Sequence, residues 1–195
     1  MNINFGCGPF PIRRRGWINV DNSLWKDAQG SYCVDEIVDL DVPFPGWMRD
    51  VEHAYCGHLL SVSFDDGGEK FLKRVHDVMV PGGIIRVCDF DFDWLFSAFF
   101  GNGPRKGKTL WSQTWPVRRD WFNPGRFRTS LEMLNADVRR WGRKYMLNVP
   151  TIEVFLMDAG FHDVKVFSPG ISDREELRDV EARLGIVQFC VEARR

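Results

Sequence analysis

The chain of 195 residues carries a formal charge of −1 and 44% apolar residues, enough for one domain with a sizeable core. The near-neutral balance excludes a globally basic nucleic-acid coat, and no run approaches the roughly twenty apolar residues of a membrane span. Five cysteines, at 7, 33, 56, 88 and 190, form an odd set without a Cys-x-x-Cys pair. That pattern argues against zinc and disulfide frameworks, and with no leader-like segment before Ile3 it predicts a reducing, cytoplasmic setting.

Ile3-Asn4-Phe5 predicts a short buried strand running into Gly6-Cys7-Gly8-Pro9, and Trp17-Ile18-Asn19-Val20 predicts a second strand ending on Asp21. A strand, a glycine turn, a second strand and a terminal acid make up the basic unit of nucleoside-cofactor binding in open α/β sheets. Gly6 and Gly8 have no Cβ to keep a ligand away from the backbone, and Asp21 can accept two hydrogen bonds from a ribose diol. A dinucleotide fingerprint would need a third small residue at position 11 and an acid about twenty residues on. Pro11 stands there instead, and Asp21 follows Gly8 by only thirteen residues. Residues 9–15 are too short and proline-rich for a crossover helix whose N-terminus could hold a pyrophosphate. A nucleoside ligand lacking a pyrophosphate fits better.

Ile-Asn-Phe-Gly-Cys-Gly at 3–8 and Gly-Trp-Ile-Asn-Val-Asp at 16–21 resemble the first and second motifs of class I S-adenosylmethionine-dependent methyltransferases, in the compact form of the type 11-like subgroup. The resemblance implies a Rossmann-like α/β fold. Its sheet has seven mostly parallel strands with an antiparallel last strand, and helices cover both faces. It also implies S-adenosylmethionine as cofactor, with Phe5, Gly6 and Gly8 beside the methionine portion, Cys7 among the binding residues and Asp21 at the ribose. Asp39 and Leu40 would meet the adenine, and Cys56 and Gly57 would floor the site beneath the sulfonium.

Further along, Glu36–Asp39 predicts a third strand, with Asp39 either the adenine-binding acid or a turn former. The prolines at 43 and 45 hold the next loop extended. Glu52–Cys56 predicts the fourth strand, followed by Gly57-His58. Related compact methyltransferases continue there from Ser-His to a Glu-His pair. Here Gly57 replaces the serine and Ser61-Val62 replace Glu-His, so no family rule for a catalytic acid or base carries over. Ser63 with Asp66 forms a capping-box pattern ahead of a helix whose apolar stripe is Phe71, Leu72, Val75, Val78 and Met79. Pro81-Gly82-Gly83 predicts its stop, and Ile84–Cys88 the fifth strand. Asp89, Asp91 and Asp93 then alternate, placing three carboxylates on one side of an extended segment. They read as an acid–base or metal group or, preferred, as Asp89 or Asp91 capping a helix over 94–100; the resemblance aligns an acid with Asp91 only.

Residues 102–145 predict a lid or insertion within the single domain 1–195. Eleven Lys and Arg face three acids there, a net of +8 that leaves −9 for the rest of the chain. Trp115, Arg118 and Arg119 are the candidate substrate-binding residues, since aromatics between cations suit an anionic acceptor; a solvated basic face is the other reading. Leu131, Leu134, Val138 and Trp141 space a helix within it. Residues 141–161 again resemble the compact methyltransferases. A helix over 152–159, a strand over 164–167, a capping box of Ser172 with Glu175 opening a helix through Leu184, and a last strand over 186–191 complete the expectation.

A hydroxyl acceptor needs a base, and His58 at the carboxyl end of the fourth strand is the first candidate, with Asp91 the second. The chain lacks Asn-Pro-Pro-Tyr and Pro-Cys sequences, which argues against methylation of nucleobase amines and of cytosine C5. The reading is methyl transfer to a hydroxyl of a small or sugar-like anionic acceptor. The alternative is a non-catalytic protein of the same fold that binds nucleic acid or a partner through 102–145.

Overall fold

The computed structural model describes residues 1–93, 96, 135, 138–139, 142–181 and 188–195. Seven strands, β1 (Asn2–Phe5), β2 (Trp17–Asp21), β3 (Glu36–Ile37), β4 (Val51–Gly57), β5 (Met79–Phe90), β6 (His162–Phe167) and β7 (Gln188–Arg194), form one sheet in the order β3-β2-β1-β4-β5-β7-β6. β1 to β5 pair in parallel, while β7 runs antiparallel between β5 and β6. The expected mostly parallel seven-stranded sheet is therefore present. Its order reverses between β1 and β4, which leaves a crevice at the carboxyl ends of those strands.

Alternation along the strands divides the sheet into two unlike faces. Phe5, Val20, Cys56, Val87 and Val191 share one apolar core with Phe71, Leu72 and Val75 of α2 (Glu69–Val78) and with Ile152 and Leu156 of α3 (Val149–Asp158), which follow a one-turn α1 (Leu60–Ser63). Phe5 stacks on Phe44 and meets Phe71 edge-on, both at 5.4 Å between centroids. Burying such a ring contributes roughly 2–3 kcal/mol. The opposite face carries Asn4, Asn19, Tyr55, Arg86, Cys88, Cys190 and Glu192, all buried. Residues 9–15 and 170–181 cover it, with Ile12, Leu177 and Val180 packed on Trp17, Tyr55 and Ile84.

The link from β1 to β2 has no helix, and Asn19 holds it in place. Asn19 Oδ1 accepts from Asn4 Nδ2 at 2.9 Å and from the Ile12 N–H at 2.7 Å, while its amide nitrogen donates to Ile12 O and to Asp35 Oδ2. Two asparagines in register on adjacent strands thus do the work of a crossover helix.

Several local expectations change. The Ser63–Asp66 capping box does not form: Ser63 ends α1, and Gly67 and Gly68 turn the chain through left-handed φ values of 70° and 88° before α2 begins. Pro81-Gly82-Gly83 lies inside β5 as a register irregularity opposite β4, closed by the Gly82 N–H donating to Arg195 O. Ser172 Oγ accepts from the Arg174 N–H, and among the described residues up to Glu181 a single 3-10 turn follows at Glu175–Leu177, the rest of the expected helix lying outside them. The three acids after Cys88 do not share a side. Asp89 is fully buried, Asp91 is half-buried with Oδ1 accepting from the Asp93 N–H, and Asp93 is exposed. The Asp91 contact lies at a helix start, and the expected helix over 94–100 lies, Phe96 apart, outside the described residues. The proposed lid lies almost wholly outside the described residues, in which Asn135, Val138 and Arg139 are helical.

Candidate functional site

The carboxyl ends of β1, β2, β4 and β5 bring the glycine turn, Asp21, Gly57-His58 and Phe90 to one edge, around a cavity of about 550 Å³. That size suits a nucleoside-sized ligand. Gly6 has φ +62°, and a Cβ there would stand 2.5 Å from Leu59 Cδ1; Gly8 has φ +52° with open space around it. The turn therefore needs left-handed backbone at both positions and tight packing only at the first.

Asp21 is buried on the cavity wall, and its carboxylate holds the turn in place. Oδ2 accepts from the Gly8 N–H at 2.9 Å, and Oδ1 accepts from Trp25 Nε1 at 3.1 Å and from the Ser23 N–H at 3.3 Å. Cys7 is on the same wall. Burial, reinforced by the charges of Asp21 and Asp35 and by Cys33, pushes its thiol up to about 12, so it stays protonated. Leu40 and Gly57 line the cavity, and a Cβ on Gly57 would meet the Tyr55 hydroxyl at 2.5 Å. Phe5 and Cys56 lie beneath, with side chains fully buried in the core. Asp39 is exposed and turns one oxygen to the Asp41 N–H at 2.9 Å.

His58 lines the cavity in a left-handed conformation, φ +54°, which is rare and costly for a residue with a Cβ. Its N–H donates to Cys88 O, its Nε2 lies 3.0 Å from Gln188 Oε1, and its Nδ1 lies 3.8 Å from Asp89 Oδ1. Asp89 also accepts from the Ser61 N–H and Oγ–H at 3.0 and 2.7 Å, from the Phe90 N–H, and from Arg143 at 3.3 Å. Burial acts to raise this carboxyl, but His58, Arg143 and Ser61 outweigh it and hold it below its ordinary value. Arg143 and Lys144 bring positive charge to the wall, and the Lys144 and Tyr145 N–H groups both donate to Ser61 O. The chain returning from residue 142 is thereby docked on α1.

The structure thus gathers Gly6, Cys7, Gly8, Asp21, Leu40, Gly57 and His58 around one cavity; Phe5, Asp39, Cys56 and Asp91 are not part of its lining. Trp115, Arg118 and Arg119 lie outside the described residues. Sequence reasoning passed over Asn4, Asn19, Arg143 and Gln188 as site-building groups, and named Asp89 only as one of three alternating acids or a helix cap. A signal existed for the asparagines, polar residues at core positions of short strands, and for Asp89 as an acid directly continuing an apolar strand.

No family model matches the chain, and no curated protein matches its sequence. Solved structures do resemble it. Human N-acetylserotonin methyltransferase in complex with S-adenosylmethionine is 18% identical with a TM-score of 0.54, over 100% of this chain and 47% of that one. An S-adenosylmethionine-dependent methyltransferase from Mesorhizobium loti is 18% identical with a TM-score of 0.53, over 100% and 90%. A Haemonchus contortus N-methyltransferase in complex with phosphomonomethylethanolamine and S-adenosylhomocysteine is 12% identical with a TM-score of 0.50, over 85% and 34%. This chain thus spans about half the length of the human protein and nearly all of the bacterial one. It has the Rossmann-like fold of class I S-adenosylmethionine-dependent methyltransferases.

Proposed function

We propose that the protein transfers the methyl group of S-adenosylmethionine to a hydroxyl of a small anionic acceptor, sugar-like in size. The observation that carries this reading is Asp21, a buried carboxylate on the cavity wall at the end of β2, tied to the glycine turn at the end of β1. Three donors use three of its roughly four acceptor positions, so one stays open to a ribose hydroxyl, and the long Ser23 contact at 3.3 Å is the one that can yield to a second. Gly6 and Gly8 allow close backbone approach, and Leu40 offers an apolar surface for the adenine. When bound, S-adenosylmethionine supplies an electrophilic methyl group on a sulfonium.

His58 is the base in this reading. In the tautomer whose Nδ1–H faces Asp89, Nε2 keeps the lone pair that takes the acceptor's proton once the acceptor hydroxyl replaces Gln188 there. Asp89, 3.8 Å from Nδ1, then stabilises the imidazolium. Arg143 and Lys144 favour a phosphate or carboxylate on the acceptor, in line with the phosphate-bearing ligand of the Haemonchus enzyme. Residues 102–145 would roof the site and add Trp115, Arg118 and Arg119. The five cysteines are all free thiols, which suits a reducing cytoplasm. Among the described residues no helix is long and apolar enough to cross a membrane. Calorimetric titration with S-adenosylhomocysteine tests the cofactor half, and a screen of anionic and neutral acceptors read by S-adenosylhomocysteine release tests the other. Absence of binding at millimolar ligand refutes the reading.

A further inference from the structure

Behind the cavity wall, on the polar face of the sheet, Cys88 of β5 and Cys190 of β7 stand directly opposite each other in the antiparallel register. Their sulfurs are 2.9 Å apart, and Glu181 Oε1 lies 3.3 Å from Cys88 Sγ and 3.5 Å from Cys190 Sγ. All three residues are buried, and the three donor atoms fall within 4.8 Å of one another. We propose that Cys88, Cys190 and Glu181 form a binding site for one borderline-soft divalent cation of the zinc class, separate from the methyl-transfer chemistry.

Donor chemistry sets the class of ion. Two sulfurs and one carboxylate oxygen select against magnesium and calcium, which take oxygen shells, and for zinc or cadmium. Around a tetrahedral ion with metal–sulfur bonds of about 2.3 Å and metal–oxygen bonds of about 2.1 Å, sulfur and oxygen stand about 3.6 Å apart and the two sulfurs about 3.8 Å apart. The observed sulfur–oxygen separations already approach the first value. The sulfurs must open by about 0.9 Å to reach the second, a shift within reach of two cysteine χ1 rotations.

Charge also permits the ion. Arg86 sits fully buried between Glu181 and Glu192, so the three side chains sum to −1 beside two neutral thiols. Uptake of a divalent cation with loss of both thiol protons leaves that sum unchanged, because two Cys–SH and M²⁺ become M(S–Cys)₂ and two H⁺. The guanidinium is therefore no greater obstacle to the ion than to the protons it replaces. Arg86 also positions the carboxylate, with Nε and Nη2 both on Glu181 Oε1 and the Gly170 N–H donating to Oε2, so an ion at Oε1 takes the place of one guanidinium contact. Glu181 lines the cavity as well, so the cluster lies directly behind its wall, with all three donor side chains buried.

The test uses the full chain, reduced and stripped with chelator, titrated with Cd²⁺ and, against a chromogenic chelator, with Zn²⁺. The expected result is one ion per chain, an ultraviolet thiolate-to-cadmium band and release of two protons in weak buffer. Cys88→Ser and Cys190→Ser should each weaken uptake by about 100-fold or more and Glu181→Gln by about tenfold, while Cys33→Ser leaves it unchanged. Should a serine variant fail to fold, differential alkylation of the wild-type chain in moderate urea decides: zinc must protect Cys88 and Cys190 and leave Cys33 reactive. Uptake that survives Cys88→Ser overturns the proposal. So does a wild-type chain that takes no ion once reduced, including one isolated with this pair two hydrogens lighter as a disulfide.

Discussion

Asp21 Oδ2 accepts the backbone N–H of Gly8 at 2.9 Å, joining the end of β2 to the turn after β1 across thirteen residues. The same carboxylate that faces the cavity therefore also shapes the glycine turn. Asp21→Ala should weaken S-adenosylhomocysteine binding by about 10- to 100-fold, the loss expected for one or two charge-assisted hydrogen bonds. Titration calorimetry reads this directly, and unchanged affinity would remove Asp21 from the site.

Gly6 and Gly8 both have positive φ, but only Gly6 is crowded, since a Cβ added there would stand 2.5 Å from Leu59 Cδ1. Gly8→Ala should cost about 1 kcal/mol from backbone strain alone, and Gly6→Ala about 2 kcal/mol because Leu59 must also move. Urea denaturation of the two variants measures the difference.

His58 carries backbone strain that a simple connector would not need. His58→Gly should be more stable than His58→Ala by about 1 kcal/mol, since only glycine relaxes at φ +54°. Both should bind S-adenosylhomocysteine within about threefold of wild type and lose about 100-fold or more in turnover. Full turnover in either would take the base role from His58.

Asp89 is an ion-pair partner buried beside Arg143, so Asp89→Asn should destabilise the chain by about 2–3 kcal/mol at neutral pH. The folded carboxyl lies below its ordinary value, so its contribution is fully present above the unfolded value of about 3.9 and fades as pH falls through the folded one. The gap between wild type and variant should stay constant from about pH 5 to 8 and close below about pH 4, as followed by urea midpoints.

Lys144 is half-exposed at the cavity and outside the Asp89 network, its Nζ donating to Ser63 O. Lys144→Ala should raise KM for a phosphate- or carboxylate-bearing acceptor by about tenfold and leave kcat and neutral acceptors unchanged. Equal effects on charged and neutral acceptors would show that the charge does not select.

Local sequence determined the first part of this protein. The glycine turn, Asp21 and the strands that flank them are encoded within twenty-one residues, where φ requirements and period-two burial act at short range. It misplaced helix starts at Ser63 and Ser172, because a capping pattern has no force where Gly67 and Gly68 turn the chain or where packing of Leu177 leaves a single turn. The groups that complete the cavity, and the cluster behind its wall, were decided by tertiary structure alone. Asp89 meets Arg143 across 54 residues, Cys88 meets Glu181 across 93, and Cys88 meets Cys190 across 102. The odd cysteine count and the absence of Cys-x-x-Cys give no sign of the Cys88–Cys190–Glu181 grouping, because spacing detects only groups near in sequence. Antiparallel pairing of β5 with β7 sets which side chains stand opposite, and that register arises only when the whole sheet assembles.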